Sequence, residues 1–444
     1  MVESGRTSAS SVPIRRARER GITRGSRWRL AAGLASVALA GSGLAACGTS
    51  SGAGPVTLTY YLYPDSSGAT QKAISNCDNQ SGGKYTISYQ QLPTGSDGQR
   101  QQLARRLAAN DSSIDIMGLD VTWEAEFAQA GWILPWTGTY KQQAETDTLQ
   151  PMLETATWNG QLYAVPDNTN TQLLWYRSDL VPTPPTTWTQ MISDAEQLAK
   201  EGKPHYIEIQ GAQYEGGTVW FNTMLASAGG SVVNSNATHV TLGPPAVTAL
   251  SVMKQLADSS AADPSLDVQK ENDNRLAMEA GNAAFELNYP FVYPAMKADN
   301  PQLFKVFKWA PYPEAVPGMP THVTIGGIDL AVSAFSKHPQ LAFQAALCLR
   351  DAQNQLIGAT VGGVPPTIIS LYSDPKLFPD YPFHADILNE LETASVRAKT
   401  PAYQVLSISI SHLISPPSGI SPTGTEQQLA SQANNALQAK GLIP

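Results

Sequence analysis

From Val56 onward, short apolar runs alternate with amphipathic stretches of helical period, and this alternation restricts the chain to layered α/β architecture rather than a sandwich or a helical bundle. "VTLTYYLY" (56–63) reads as the first strand. "GQRQQLARRLAAN" (98–110) reads as a helix that turns Leu103, Ala104, Leu107 and Ala108 inward and leaves Arg105 and Arg106 in solvent. "SIDIMGLD" predicts a strand that begins near Asp115 and ends at Asp120, and "YAVPDNTNTQLLWYRSDL" (163–180) a loop feeding a buried strand. In "PPTTWTQMISDAEQLAK" (184–200) prolines stop the preceding segment. Thr187 and Gln190 then stand at capping-box spacing, and Met191, Ile192, Ala195 and Leu198 form the apolar face. "NRLAMEAGNAAFELNYPF" (274–291) predicts a helix, a glycine stop and a strand. "THVTIGGIDLAVS" (321–333) is a strand interrupted by two glycines, and the helix in "HPQLAFQAALCLRDAQNQL" (338–356) buries Leu341, Ala345 and Cys348.

The N-terminus has a different grammar. Its first 29 residues carry eight arginines and two acids, Glu3 and Glu19, and lead into the apolar run Leu30–Ala46. At 17 residues, with three glycines and two serines, that run falls short of the roughly 20 apolar residues of a membrane-spanning helix and reads as an export signal. "LAAC" at 44–47 resembles the lipobox of bacterial lipoproteins, which makes residues 1–46 a lipoprotein signal peptide and Cys47 the acylated N-terminus of the mature chain. Multiple acyl chains hold a protein on a membrane far more firmly than one. Residues 47–54, "CGTSSGAG", suit a flexible tether. The two remaining cysteines, Cys77 and Cys348, form an even pair outside the cytoplasm, as a disulfide or as two separately buried thiols.

Cleavage changes the charge. Eight of the 29 basic residues and two of the 37 acidic ones leave, so the mature chain has 21 against 35, a net of −14. No basic stripe remains for phosphates, which excludes nucleic acid as a partner. Of 444 residues 398 remain, too many for one core and about right for two lobes.

Five blocks, in order, carry a resemblance: "IDIMGLDVTWEAEFAQAGWILPW", "WNGQLYAVPDNTNTQLLWYRSDLVPTPPTTW", "GNAAFELNYPF", "VTIGGIDLAVSAFSKHPQLAFQAALCLRD" and "GGVPPTIISLYSDP". Together they resemble the extracellular solute-binding proteins of carbohydrate ABC importers, and within that group the LpqY-like trehalose-binding lipoproteins of mycobacteria and related actinobacteria. The resemblance covers about Val56 to Pro444. It implies an α/β fold of two lobes, of the type II, maltose-binding-protein-like kind, with a hinged cleft. Its crossovers fall near Asn168, Thr324 and Phe378, so that residues 55–168 with 325–377 form one lobe and 169–324 with 378–444 the other.

Sugar chemistry narrows the candidates. A disaccharide offers hydroxyls that donate and accept on rings with apolar faces, so carboxylates, amides, an arginine and an aromatic plate are the useful groups. Ligands of open α/β sheets lie beyond the carboxyl ends of strands, which favours Asp120 over Asp115; capping the following helix is compatible with that role. Asn170 lies at an expected crossover, on the second-lobe side, or serves a turn. The resemblance adds Glu271 as an acceptor for paired hydroxyls and Arg397 as a multiple donor, each with a solvated surface residue as its alternative. Gly326 and Gly327 allow close approach of a ligand to the backbone, or form a bulge. Tyr289 stands where the similar proteins carry tryptophan, a smaller plate with an added hydroxyl. In "YPDSSGAT" Asp65 is shifted from the matching acidic position, which Ser67 occupies, and the stretch after "YPAMKADNPQ" is shorter.

The six histidines are scattered without ligand spacing, so neither a metal nor a cofactor is expected. A glycosidase would need two carboxyls flanking one bond; Asp120 and Glu271 are assigned to opposite lobes, so a binding protein is expected and not an enzyme. The expectation is a monomeric receptor, lipid-anchored on the extracytoplasmic face of the cell membrane, that hands trehalose to the transmembrane subunits of an ABC permease. A maltodextrin-type oligosaccharide or a glycerophosphodiester is the alternative ligand.

Overall fold

The computed structural model describes residues 54–439. The export signal, Cys47 and the tether up to residue 53 lie outside the described residues. Eleven strands are formed: β1 Val56–Leu62, β2 Tyr85–Gln91, β3 Ile116–Asp120, β4 Thr157–Trp158, β5 Gln161–Leu162, β6 Ala164–Asn170, β7 Leu173–Arg177, β8 Tyr206–Glu208, β9 Ala283–Asn288, β10 Phe307–Ala310 and β11 Gly326–Val332. Two sheets dominate, one ordered β2-β1-β3-β11-β6 and one ordered β10-β7-β9-β8.

Strand direction places the site. β1 runs parallel to β2 and β3, while β11 is antiparallel to both β3 and β6. The carboxyl ends of β1, β3 and β6 therefore share one edge of the first sheet, where β11 begins. In the second sheet β8 and β9 are parallel and β7 is antiparallel to β9, so β8 and β9 end on the edge where β7 starts. The chain passes from β6 to β7 through Thr171 and Gln172 alone, which brings these two edges together. The architecture is two α/β lobes facing each other across a cleft.

Each sheet packs its own core. Leu58, Met117, Leu119, Val165, Leu330 and Phe343 lie in the first, and Leu174, Ile207, Trp188, Trp220, Phe285 and Leu287 in the second. A third apolar cluster joins Val121, Leu149 and Met152 to Trp175, Phe307 and Phe383, on the side where the chain crosses. Cys77, in the helix Ala69–Gln80, is disulfide-bonded to Cys348, in the helix Pro339–Leu349.

Several expectations need correction. The predicted loop at 163–170 is largely β6, because its polar residues take ladder partners from β11. Pro166, which lacks an N–H, is tolerated at the register shift where Asp167 is the extra residue. The strand expected over 321–333 begins only at Gly326, since the backbone of Val323 and Ile325 bonds Ser395 instead. Asn170 belongs to the first sheet, as the last residue of β6, and not to the lobe beyond the crossing. Ala108 is exposed, and Leu341 and Cys348 are only half-buried; Ala342, Phe343, Ala345 and Ala346 turn inward instead. Thr187 accepts from the Gln190 N–H as expected, but the glutamine's side chain returns to the N–H of Thr186.

Candidate functional site

Asp120 ends β3 at the shared edge, where Thr122 donates to its Oδ1 from both N–H and hydroxyl, at 3.1 and 2.7 Å. The helix that follows, Glu124–Gln129, receives no side-chain cap, so Asp120 orders a turn rather than a helix terminus. Its other partner comes from the opposite lobe. Arg397 is 5% exposed, and its Nη2 reaches Asp120 Oδ1 at 3.5 Å and the carbonyl of Ile325 at 3.4 Å. Nη1 donates to Glu215, while Nε has no hydrogen-bond partner among the described residues. Arg397 is thus a buried member of a charge cluster and not a surface arginine.

Glu215 is the centre that sequence reasoning missed. It opens the helix Glu215–Ser227 just beyond β8 and accepts from Arg397, from the Tyr403 hydroxyl and from Ser407. Burial raises its pKa despite the opposing pull of Arg397. A signal existed in "YEGG": a Cβ on Gly216 would lie 2.1 Å from the Tyr214 hydroxyl, so the glycine is what lets that ring fold over the helix start.

Glu271 is the first residue of the helix Glu271–Glu279 and is half-buried, not solvated. Burial pushes its carboxyl up, while the helix-start N–H and the Tyr214 hydroxyl beside it pull the other way. Tyr289 follows β9, and its phenol is raised by burial and by the negative charge of Glu271, with Arg397 opposing. Asp120, Glu215, Glu271, Tyr289 and Arg397 therefore form one electrostatic neighbourhood. Gln404, whose side-chain amide donates to Asp97 at 2.7 Å, and Lys399, which donates to the carbonyl of Glu154 at 3.0 Å, add contacts between the same two sides.

The protein has a cavity of about 620 Å³, within the range of small-molecule sites. Its walls are the loop after β1 from Tyr63 to Thr70, Asp167, Asn168 and Asn170 of β6, and Phe291 to Ala298 after β9. Of the expected binding residues only Asn170 is in this lining; Asp120, Glu271, Tyr289 and Arg397 are not. Asp167 is pushed up to about 7 by burial, against the Asn168 amide that lowers it. Asp65 binds the N–H groups of Ser67 and Thr70 and the Ser67 hydroxyl, so Ser67 meets the cavity as that carboxylate's donor. Burial raises Asp65, but these bonds outweigh it and hold the carboxyl below its usual value.

The glycine pair serves the sheet. A Cβ on Gly327, at φ +142°, would come within 2.3 Å of the Asn168 carbonyl and 2.8 Å of Thr169 Cα, so this close approach is to β6. Gly326 would meet Asn170 at 3.3 Å and lies at the cleft edge. No group of three or more metal-ligating side chains occurs, and no helix is long and apolar enough to cross a membrane, among the described residues. The cluster offers acidic acceptors and one guanidinium paired with two carboxylates, and the cavity offers amides and a partly apolar wall, groups that suit an uncharged polyhydroxyl ligand.

Known proteins share this layout. Residues 69–355 match the family described as bacterial extracellular solute-binding protein. A probable ABC transporter-binding protein of Deinococcus radiodurans is 28% identical over 326 residues, 71% of this chain and 77% of that one. Maltose-bound MalE3 of T. maritima superposes with a TM-score of 0.78 at 26% identity, covering 85% of this chain and 99% of that one. The GacH receptor of Streptomyces glaucescens, solved unliganded and with acarbose, has the same fold, with a TM-score of 0.76 at 22% identity over 87% of this chain and 100% of that one. With its type II two-lobe fold and a family match over more than half its length, this chain belongs to the bacterial extracellular solute-binding proteins, which are binding proteins and not enzymes.

Proposed function

We propose that the protein is the lipid-anchored receptor of an ABC sugar importer, that it captures trehalose in the cleft between its lobes, and that it delivers the sugar to the permease. The observation that carries this reading is the meeting of Asp120, from the edge of one sheet, with Arg397 and Glu215, from the other lobe. A ligand bound there contacts both lobes and favours the closed arrangement through contacts that an open one lacks. Rotation would occur where the chain crosses between lobes, at Thr171–Gln172 and near Thr324 and Phe378.

Asn170, Gly326 and Asp120 would line the ligand from the first lobe, and Glu271, Tyr289 and Arg397 from the second. Maltose is the second reading, favoured by the MalE3 relative. A glycerophosphodiester fits less well, because the one guanidinium of the cluster already faces two carboxylates. Titration calorimetry with trehalose, maltose and glycerophosphocholine tests the assignment. Trehalose should bind tightest, and Glu271→Ala should weaken it by a hundredfold or more, on the order of the 3 kcal/mol that unpaired buried hydroxyl partners cost. Heat from the phosphodiester alone would overturn the sugar reading. Incorporation of labelled palmitate that is lost in Cys47→Ser tests the anchor.

A further inference from the structure

Behind the Glu271 helix lies a chain of side-chain amides that no part of the binding reading uses. Gln172, in the two-residue crossing between β6 and β7, donates from Nε2 to Gln210 Oε1 at 2.6 Å. Gln210 in turn donates to Asn274 Oδ1 at 2.8 Å and to the Leu287 carbonyl of β9 at 3.0 Å. Asn274, in the first turn of the Glu271–Glu279 helix, donates to the Ile209 carbonyl at 3.2 Å and to Gln269 Oε1 at 3.1 Å. A second hold comes from Asn288, whose Nδ2 donates to the Glu271 carbonyl at 2.8 Å and to Glu286 at 2.6 Å, and whose Oδ1 accepts from the Tyr289 N–H at 2.9 Å.

Every member of this chain is at most 2% exposed. An apolar core would satisfy packing there at lower desolvation cost, and amides that are each fixed by the next one specify position as well as stability. The direction of the chain matters. It starts at the segment that must change torsion when the lobes rotate and ends at the helix terminus that presents Glu271, and buried networks with defined donor and acceptor order transmit such displacements. Gln172 Oε1 and the neighbouring Thr171 hydroxyl have no partner among the described residues, so the crossing end of the chain is held by a single bond.

We propose that Gln172, Gln210 and Asn274 are positioning residues that tie the setting of Glu271 to the conformation of the β6–β7 crossing, so that lobe closure and sugar contact are one event. This rests on the sugar-binding reading of the cleft. The test is a double-mutant cycle on the full mature chain, with trehalose and maltose as probes. Gln210→Leu should weaken binding about tenfold in the wild-type background but less than twofold in a Glu271→Gln background, because the network acts through Glu271. Gln210→Glu, which can still accept from Gln172 but can no longer donate to Asn274 or the Leu287 carbonyl, should not recover the loss. An equal loss in both backgrounds, or unchanged binding with a lowered melting temperature, would overturn the relay. Failure of the wild-type protein to bind any sugar would instead overturn the cleft reading.

A ligand-free arm keeps the relay testable in every case. Gln172→Ala, which removes only the first link, should speed hydrogen exchange at the amides of Glu271–Arg275 and leave those of the Trp188–Lys200 helix in the same lobe unchanged. Uniform change in both helices, or none at the Glu271 end, counts against it.

Discussion

Each sheet buries two carboxyl groups behind the edge that faces the cleft, and the two pairs are housed differently. In the first lobe Glu124 and Asp329 lie together at 1% and 0% exposure. Asp329 accepts from the Thr155 hydroxyl at 3.1 Å, and both Glu124 oxygens lack a hydrogen-bond partner among the described residues. In the second lobe Glu208 and Glu286 sit side by side on β8 and β9, one accepting from Gln269 at 2.5 Å and the other from Asn288 at 2.6 Å. The amides that bond the second pair belong to the network that holds the Glu271 helix. Neither pair has a cation within salt-bridge distance among the described residues, whereas the cleft acids Asp120 and Glu215 share Arg397. Burial without a counter-charge favours the neutral acid, and burial with one favours the ion. The two buried pairs and the acids that share Arg397 thus sit in different electrical surroundings, set by what stands beside them.

Removing the cation gives the largest test of that contrast. Arg397→Ala strands Glu215 and should cost about 3–5 kcal/mol in denaturant unfolding, with most of it recovered by the double change Arg397→Met, Glu215→Leu. If the single variant is as stable as wild type, the cluster is not charged as described. Next in size is the covalent tie, which among the described residues only the first lobe has. Cys77→Ser with Cys348→Ser should cost about 2–5 kcal/mol and should loosen the Glu124–Asp329 side first in hydrogen exchange.

The buried pairs make a pH prediction. Glu208 and Glu286 are pushed up to about 8, chiefly by burial; Glu124 is raised by burial and by the charge of Asp329, and Asp329 is pushed up to about 8 by burial, with the Thr155 hydroxyl and Glu124 pulling the other way. In this window the folded state holds more protons than the unfolded one. Stability is therefore fully present below the ordinary carboxyl range and is lost as pH rises toward 8, by at most about 1.4 kcal/mol per unit for each group. Melting temperature should fall from pH 5 to pH 9, and Glu286→Gln or Glu124→Gln should flatten the fall; a rise would contradict the neutral-acid assignment. The smallest effect expected is at Tyr289. Tyr289→Phe removes only the hydroxyl and should weaken sugar binding by less than about tenfold in calorimetry, in line with one net hydrogen bond.

The fold was readable because strands and helices alternate with their own periods, and Met191, Ile192, Ala195 and Leu198 all turn inward as that period demands. The polar strand β6 was not readable, since "AVPDNTN" has no apolar alternation and is a strand only because β11 arrives to pair with it. The site shows the same divide. Asp120 could be found from its place at the end of an apolar run, whereas Glu215 was marked only by the glycines that follow it, and its importance comes from Arg397, Tyr403 and Ser407, which lie 182 to 192 positions away in sequence. Arg397 was pointed to only by the resemblance, since nothing local announces that two carboxylates will enclose it.

The place of β11 between β3 and β6 carries a consequence for biogenesis. The first lobe lacks the strand that joins β3 to β6 until residue 332 has been synthesised, and the entire second sheet is made in the interval. A nascent chain of this order holds an incomplete sheet for most of its translation, and pairings this distant in sequence form slowly. The β3 edge of the first sheet therefore stays unpaired until every strand of the second sheet has been made.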